Sequence, residues 1–196
     1  MLDLDPAARE VVRLLDGVPD DGLDGPTPSA GTPVAQLLDH LMGLSLAFTL
    51  AARKTPPEGG SKPPRSGADH LDPDWREVPP RRLGELAESW RDPAAWAGDT
   101  EAGGVTLPAG AIGAVAPDEL VLHGWDLARA TGQPFRCDPA SAAAVLEFTA
   151  EPAKPDNAAG REGTFGPVVP VPADAPPLDR ALGFSGRDPG WTPASA

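Results

Sequence analysis

The chain has 196 residues, enough to bury a sizeable core as one domain or as two small ones, and its 26 prolines and 22 glycines separate stretches of helical periodicity. The formal net charge of -13 disfavours a nucleic-acid partner, because binding to a phosphate backbone would begin with repulsion. A single cysteine excludes an internal disulfide framework and a thiolate-rich metal cluster, so any bound metal is expected to be held by histidine and carboxylate groups.

The beginning of the chain predicts a soluble, cytoplasmic protein. Residues 1–6 contain neither a basic leader nor an apolar signal core, and no apolar run approaches the ~20 residues that cross a bilayer. We therefore expect no membrane partner. We predict one domain over residues 1–196, in which residues 155–196 are mostly irregular and wrap the surface of the helices.

Three predicted helices start where a capping residue precedes a proline, because the missing N–H of proline costs nothing at the first helical position. The three pairs are Asp5 and Pro6, Thr32 and Pro33, and Asp138 and Pro139. The helices that follow are predicted to end near residues 17, 53 and 150. The second of these is the longest uninterrupted helical pattern in the chain.

Apolar spacing and stop signals predict the other helices. An i, i+3, i+4, i+7 stripe predicts a helix over residues 80–91. Another begins near Ala109, where Pro117 marks either a kink or a fresh start, and it ends near Thr131 because Gly132 fits the left-handed position after the last turn.

Two shorter stretches complete the prediction. Residues 105–107 are too short to decide between a strand and an extended connection, and residues 178–184 form a possible short helix. The sequence therefore predicts an all-α protein with long Pro/Gly-rich loops.

The segment from Glu119 to Asp126 carries the strongest functional signal. Glu119 and His123 are four residues apart in an apolar helical stretch, so their side chains share a face, and Asp126 lies on the same wedge. Burying the carboxylate and the imidazole without partners would be costly, and a metal would satisfy both. The alternative is a boundary Glu-His pair worth only ~0.2–0.5 kcal/mol, and the spacing alone leaves both interpretations open.

His40 is the best candidate for a third ligand among the three histidines of the chain. It lies in the middle of the second predicted helix, where the small residues Gly43 and Ala47 on the same face leave room for a metal. The same pattern fits close helix packing, and a lone histidine inside a helix is more often a satisfied core or boundary residue than a ligand.

Three other reactive residues are interpreted as structural. His70 ends a Pro/Gly/Ser/Lys-rich loop over residues 54–70 and is not taken as a ligand. Ser29 is a turn serine without a surrounding Ser-His-Asp pattern. Cys137 precedes a helix N-terminus, which could lower its thiol pKa, but a small apolar residue is the commoner explanation.

Three segments resemble the DinB-like, mycothiol-dependent maleylpyruvate isomerase-like metal-binding proteins. They are LDHL at residues 38–41, ELVLHGWDLARATGQP at residues 119–134, and FGPVVPVP at residues 165–172 with LDR at residues 178–180. The similarity extends over nearly the whole chain, and its strongest motif is Glu-x-x-x-His-Gly-Trp-Asp.

The resemblance implies an all-α DinB/YfiT-like four-helix bundle with an additional helix. It also implies a divalent metal, with zinc as the expected ion, held by His40, Glu119 and His123. Three protein ligands leave a coordination position open, as in catalytic zinc sites. Asp126 is then the candidate for orienting a ligand imidazole, and a helical pair between Asp126 and Arg129 is the alternative.

Mycothiol is the thiol cosubstrate in members of this family whose chemistry is known. Our first hypothesis is a metal-dependent enzyme, monomeric or homodimeric. It would use such a low-molecular-weight thiol in the transfer or isomerisation of a small electrophile. The alternatives are a non-catalytic metal-binding bundle acting in stress response or as an interaction module, and a thiol-independent enzyme using metal-bound water. Substrate-facing catalytic residues are not identified by the sequence.

Two departures from the family pattern limit this transfer. Maleylpyruvate isomerase itself has an additional C-terminal domain, which we do not expect 196 residues to contain, so its specific isomerisation is not assigned here. The loop at residues 26–32 also differs from the Cys- and Trp-containing form of relatives. If this loop lines the pocket, the ligand is expected to differ as well.

Overall fold

A computed structural model describes residues 2–62, 66–161 and 163–193, and these ranges contain six α-helices and one two-stranded hairpin. The helices are α1 (Asp5–Asp16), α2 (Val34–Arg53), α3 (Val78–Ser89), α4 (Ala109–Ala130), α5 (Pro139–Ala150) and α6 (Pro177–Phe184). The strands β1 (Asp99–Ala102) and β2 (Val105–Pro108) pair antiparallel, and short 3-10 segments span Asp20–Gly22, Ala68–His70, Pro93–Trp96 and Pro155–Arg161. The mostly helical structure confirms the predicted all-α class.

Helices α1 to α4 form a four-helix bundle in which α1 and α2 each contact both α3 and α4. Each helix contributes fully buried leucines to one continuous core, among them Leu14, Leu37, Leu83 and Leu127. Burying one such side chain contributes about 1.5–3 kcal/mol. Helix α5 packs against α4, and α6 packs against α5, so the C-terminal helices extend the bundle on the α4 side.

One of the three predicted capping residues acts as predicted. Oδ1 of Asp138 accepts hydrogen bonds at 3.0 Å from the backbone N–H groups of Ala140 and Ser141 at the start of α5. The prediction for Asp5 was wrong by one residue, because Leu4 is already helical and occupies the cap position. Leu4 is buried in the core, and we attribute its helical conformation to this packing.

The predicted cap at Thr32 was also wrong. Pro33 occupies the cap position of α2, and no side chain caps that helix. The carbonyl of Thr32 instead accepts a hydrogen bond at 2.7 Å from the Thr27 hydroxyl, which closes a loop whose ends are bridged between Pro26 and Pro33. Thr32 is therefore held by the loop rather than by the helix that follows it.

The bounds of α3 and the course of α4 refine two predictions. Helix α3 begins at Val78, two residues earlier than predicted, and ends at Ser89. Helix α4 is continuous, with Pro117 inside it, so the fresh-start alternative is excluded. It ends before Gly132, whose φ of 67° fits the predicted left-handed position.

The undecided residues 105–107 are part of strand β2. Its hairpin rests on α2, because the Thr100 hydroxyl in β1 donates a hydrogen bond at 2.6 Å to the carbonyl of Ala51. Within the predicted loop at residues 54–70, residues 63–65 lie outside the described ranges, as do residues 1, 162 and 194–196 elsewhere in the chain.

Helix α2 is long and apolar enough to cross a membrane by length and composition, with a mean hydropathy of 1.4. In this structure 61% of its apolar window is buried inside the protein, where it packs against α3 and α4. A core helix of a globular bundle passes the same test. Its apolar composition is accounted for by this packing.

We predict that Gly113→Ala destabilises the bundle. A Cβ at Gly113 would lie 2.7 Å from Cζ3 of both Trp90 and Trp96, and the indole N–H groups of these residues are held by backbone carbonyls at 3.1 and 2.7 Å. Neither ring is free to move, so the free energy of unfolding should fall by about 1–3 kcal/mol in urea denaturation.

The matched control is Gly84→Ala in α3, where an added Cβ meets no atom within 4 Å. This exposed position gains helix propensity, so its free energy of unfolding should rise by up to about 1 kcal/mol. Equal effects of the two substitutions would contradict close packing at Gly113.

Candidate metal centre

The structure brings His40, Glu119 and His123 together. His40 extends from the middle of α2, whereas Glu119 and His123 lie one turn apart on the facing side of α4. Oε2 of Glu119 lies 3.0 Å from Nε2 of His123 and 3.5 Å from Nε2 of His40. One donor atom from each side chain lies within 4.8 Å of the other two, and the imidazole rings meet edge to face.

This donor set fits a divalent metal. Two imidazole nitrogens and one carboxylate oxygen are ligands of catalytic zinc sites, with bonds of about 2.0–2.2 Å that place tetrahedral donors about 3.4 Å apart. The separations of 3.0 and 3.5 Å from Glu119 to the two imidazoles lie on either side of that value, and all three donor atoms lie within 4.8 Å of one another. The three residues could therefore hold a metal with a position left open, and their role as ligands stays a prediction.

The three side chains face a cavity of about 370 Å³. The cavity draws its walls from α2, α4, the loop at residues 26–33, and the segments that precede the turn Ala68–His70 and follow the turn Pro155–Arg161. Its lining consists of Ser29, Thr32, Gln36, Leu37, His40, Ser66, Glu119, His123, Gly163 and Thr164. Hydroxyl and amide groups surround the candidate ligands, and the loop that departs from the family pattern is part of this pocket.

A buried carboxylate fixes the orientation of His123. Oδ2 of Asp126 lies 3.2 Å from Nδ1 of His123, so the opposite nitrogen, Nε2, points at Glu119. Asp126 is fully buried and is itself held by Arg187, whose Nε and Nη2 donate to its two oxygens at 2.8 and 2.7 Å. Support of this kind behind a ligand imidazole sets its tautomer and its direction.

Arg187 is the site residue that the sequence alone did not reveal. The sequence suggested Arg129 as a partner for Asp126, but Arg129 donates to the carbonyl of Trp191 at 2.8 Å instead. Arg187 lies 61 residues beyond Asp126, where no helical spacing links the two. The only available signal was an arginine in the C-terminal segment that returns to the bundle.

Paired charges control protonation at the centre. Burial alone would lower the pKa of His123, but hydrogen bonds to Asp126 and Glu119 raise it to about 9. Burial opposes the ionisation of Glu119, yet hydrogen bonds from His123 and His40 hold the pKa of its carboxyl well below the usual range. Without a metal, these shifts favour a Glu119 carboxylate hydrogen-bonded to a protonated His123 imidazole.

The pKa of the neighbouring Asp118 is shifted in the opposite direction to that of Glu119. Its side chain is buried, and its Oδ1 has no hydrogen-bond partner among the described residues. Burial, together with the charge of Glu119, raises the pKa of Asp118 to about 8. The carboxyl is thus largely protonated at neutral pH, which limits the negative charge beside Glu119.

Of the three other reactive residues, Ser29 lines the cavity, whereas His70 and Cys137 do not. His70 lies 3.8 Å from Asp69 at an exposed turn and is not among the residues that line the cavity. Ser29 belongs to the loop and lines the cavity. Burial, with the charges of Asp138 and Glu10, raises the pKa of Cys137 to about 12, which opposes the alternative of a lowered pKa and agrees with the preferred interpretation of Cys137 as a structural residue.

The family described as mycothiol maleylpyruvate isomerase N-terminal domain matches residues 4–128, more than half of the 196-residue chain. The chain belongs to this family. The matched region contains the bundle helices with His40, Glu119, His123 and Asp126, and it ends before Arg187.

Two relatives that align with most of the chain come from Mycobacterium tuberculosis. The uncharacterized proteins Rv0738 and MT0763, from two strains, are each 28% identical to it over 185 residues, covering 89% of this chain and 90% of theirs. No solved structure matches the chain significantly. The similarity to these relatives covers more of the chain than the family match does.

We predict that Arg187→Gln weakens zinc binding by about 10–100-fold, because Asp126 loses its partner and no longer fixes the imidazole of His123. Competition with a chromophoric chelator measures the affinity. Arg129→Gln is the matched control, since Arg129 also ties the C-terminal segment to α4 but does not contact Asp126. An equal loss in both variants would show that tethering of the segment, and not the contact with Asp126, sets the affinity.

We also predict that zinc affinity rises with pH. Without metal, His123 keeps its proton up to a pH of about 9, whereas a ligand imidazole must be neutral, so zinc displaces one proton at neutral pH. The affinity should increase about tenfold per pH unit between about pH 7 and 8.5. Zinc titrations at several pH values, with proton release followed by an indicator, measure this effect, and a pH-independent affinity would contradict it.

Proposed function

We propose that the protein is a zinc-dependent transferase or isomerase that uses a mycothiol-type thiol and acts on a small electrophile. The observation that carries this proposal is the convergence of His40, Glu119 and His123 on the wall of an open cavity of about 370 Å³. A purely structural zinc site is closed by four protein ligands, whereas a catalytic site keeps a position open. Among the described residues only these three form such a group.

The cavity lining supports a polar ligand. Ser29 and Thr32 from the loop, Gln36 from α2, and Ser66 and Thr164 from the other walls present hydroxyl or amide groups that both donate and accept hydrogen bonds. Mycothiol carries its thiol on a hydroxyl-rich sugar body, for which such groups are suitable partners. These residues would bind and orient the body, while Leu37 supplies an apolar contact.

The chain's own residues prepare the reactive end of the cavity. Arg187 and Asp126 hold His123 in one orientation, and Glu119 lies between the two imidazoles. A divalent ion, when bound, would act as a Lewis acid and favour the thiolate form of the cosubstrate. The neutral carboxyl of Asp118 limits the charge repulsion that a thiolate would otherwise meet.

We further propose that one domain, as a monomer or a homodimer in the cytoplasm, carries this function. The contact between Arg187 and Asp126 supports a single unit, because the C-terminal segment then completes the surroundings of a site built on the bundle helices. The comparison of Arg187→Gln with Arg129→Gln tests this dependence, and light scattering of the purified protein tests the oligomeric state.

The test is thiol chemistry by the zinc-loaded protein. Protein expressed with zinc should contain about one equivalent and should accelerate the consumption of mycothiol by 1-chloro-2,4-dinitrobenzene or by a conjugated enone. His123→Ala removes one of three ligands, so we expect less than about half an equivalent of zinc and loss of the acceleration.

His70→Ala is the matched control, since His70 does not line the cavity. It should keep both the zinc and the activity. Zinc content that is unchanged in His123→Ala would refute the site itself. A zinc-loaded protein without thiol-dependent turnover would leave a metal-binding bundle, and turnover without thiol would favour hydrolysis.

A further inference from the structure

Arg161 is a buried cation with few polar partners among the described residues. The residue is 8% exposed and ends the turn Pro155–Arg161. Its Nη2 donates to the carbonyl of Gly166, and its guanidinium carbon lies 5.7 Å from the ring centroid of Phe165. Its Nη1 is shielded from solvent and has no hydrogen-bond partner among the described residues.

This environment is unfavourable for a guanidinium, which stays charged at physiological pH. The buried Arg187 is neutralised by two hydrogen bonds to Asp126, but no carboxylate of residues 2–62, 66–161 and 163–193 pairs with Arg161. Among the described residues, the printed partners of Arg161 are one carbonyl and one aromatic ring, and neither supplies an opposite charge. A buried charge without a counter-ion is strongly unfavourable, so an anionic ligand would stabilise Arg161.

Arg161 forms part of the wall of a second cavity, of about 420 Å³, a volume suited to a small organic ligand. The other cation at this cavity is Lys154, whose ammonium pairs with Glu151. The rest of the lining is mainly apolar and includes Pro155, Phe165, Pro167 and Val168. Because Lys154 is already paired, the guanidinium of Arg161 and the apolar walls define the ligand, and they suit an anion with a hydrocarbon body better than a free inorganic anion.

We propose that this cavity binds a small carboxylate with an apolar, aromatic body. Rotation of the Arg161 guanidinium about its terminal side-chain bonds brings Nη1 to the carboxylate, whose planar geometry matches the paired N–H donors of arginine. The body packs against the ring of Phe165 and the prolines. The inference does not rest on the proposed thiol chemistry.

The second cavity and the metal cavity share one stretch of chain. Gly163 and Thr164 line the metal cavity, whereas Arg161 and residues 165–168 line the second one. A carboxylate could also coordinate a metal at the first cavity, so the experiment must separate the two sites. His123→Ala provides that separation, because it removes a candidate metal ligand and leaves the second cavity untouched.

The experiment titrates benzoate into the protein and follows binding by calorimetry and by ligand-detected NMR. We expect saturable binding by the wild type and by His123→Ala. Arg161→Met keeps the volume but not the charge, and should bind at least about tenfold more weakly, as should benzyl alcohol with the wild type. The control Arg81→Gln changes an exposed arginine that lines neither of the two cavities, and it should bind as the wild type does.

A second variant guards against misfolding of Arg161→Met. Val168→Trp leaves Arg161 in place and fills the cavity from an exposed position, so benzoate binding should be lost with an unchanged melting temperature. Equal binding by Arg161→Met and the wild type, or no saturable binding by the wild type, would overturn the proposal. Binding that disappears in His123→Ala, or Arg161-dependent binding of inorganic phosphate but not benzoate, would overturn it as well.

Discussion

The carboxylate of Asp126 is the buried charge on which the candidate metal centre and the C-terminal part of the fold both depend. It is completely inaccessible to solvent, and it is held between the guanidinium of Arg187 and the imidazole of His123. An isolated carboxylate in this position would be strongly destabilising. The chain must therefore return to α4 after α6, and this return fixes the direction of His123.

The same principle explains the rest of the centre. Glu119 is stable as a carboxylate only because two imidazoles, from different helices, share one of its oxygens. In the metal-free protein a proton on His123 neutralises the group, and a divalent ion would satisfy the same donors. Contact between α2 and α4 is the packing feature that brings the three donor groups together. A neutral Asp118 keeps a further charge away from the same helix turn.

Local signals succeeded where local interactions decide the structure. The cap at Asp138, the stop at Gly132 and the continuous pattern of α2 were all readable because each depends on neighbouring residues. The caps expected at Asp5 and Thr32 failed because core packing of one segment and closure of a loop determined those backbones instead. The hairpin was undecided because its strands are only four residues long each.

The sequence by itself determined the helices and the shared face of Glu119, His123 and Asp126, since a 3.6-residue period places them together whatever the rest of the chain does. Resemblance to relatives supplied His40 as a candidate, and only the tertiary structure placed its imidazole 3.5 Å from Glu119. Arg187 and the surroundings of Arg161 were decided by tertiary structure alone. Arg187 contacts Asp126 across 61 residues, and Arg161 donates to the carbonyl of Gly166 in the segment that follows it. Both contacts depend on how the chain folds back, and they leave no periodic pattern in the sequence.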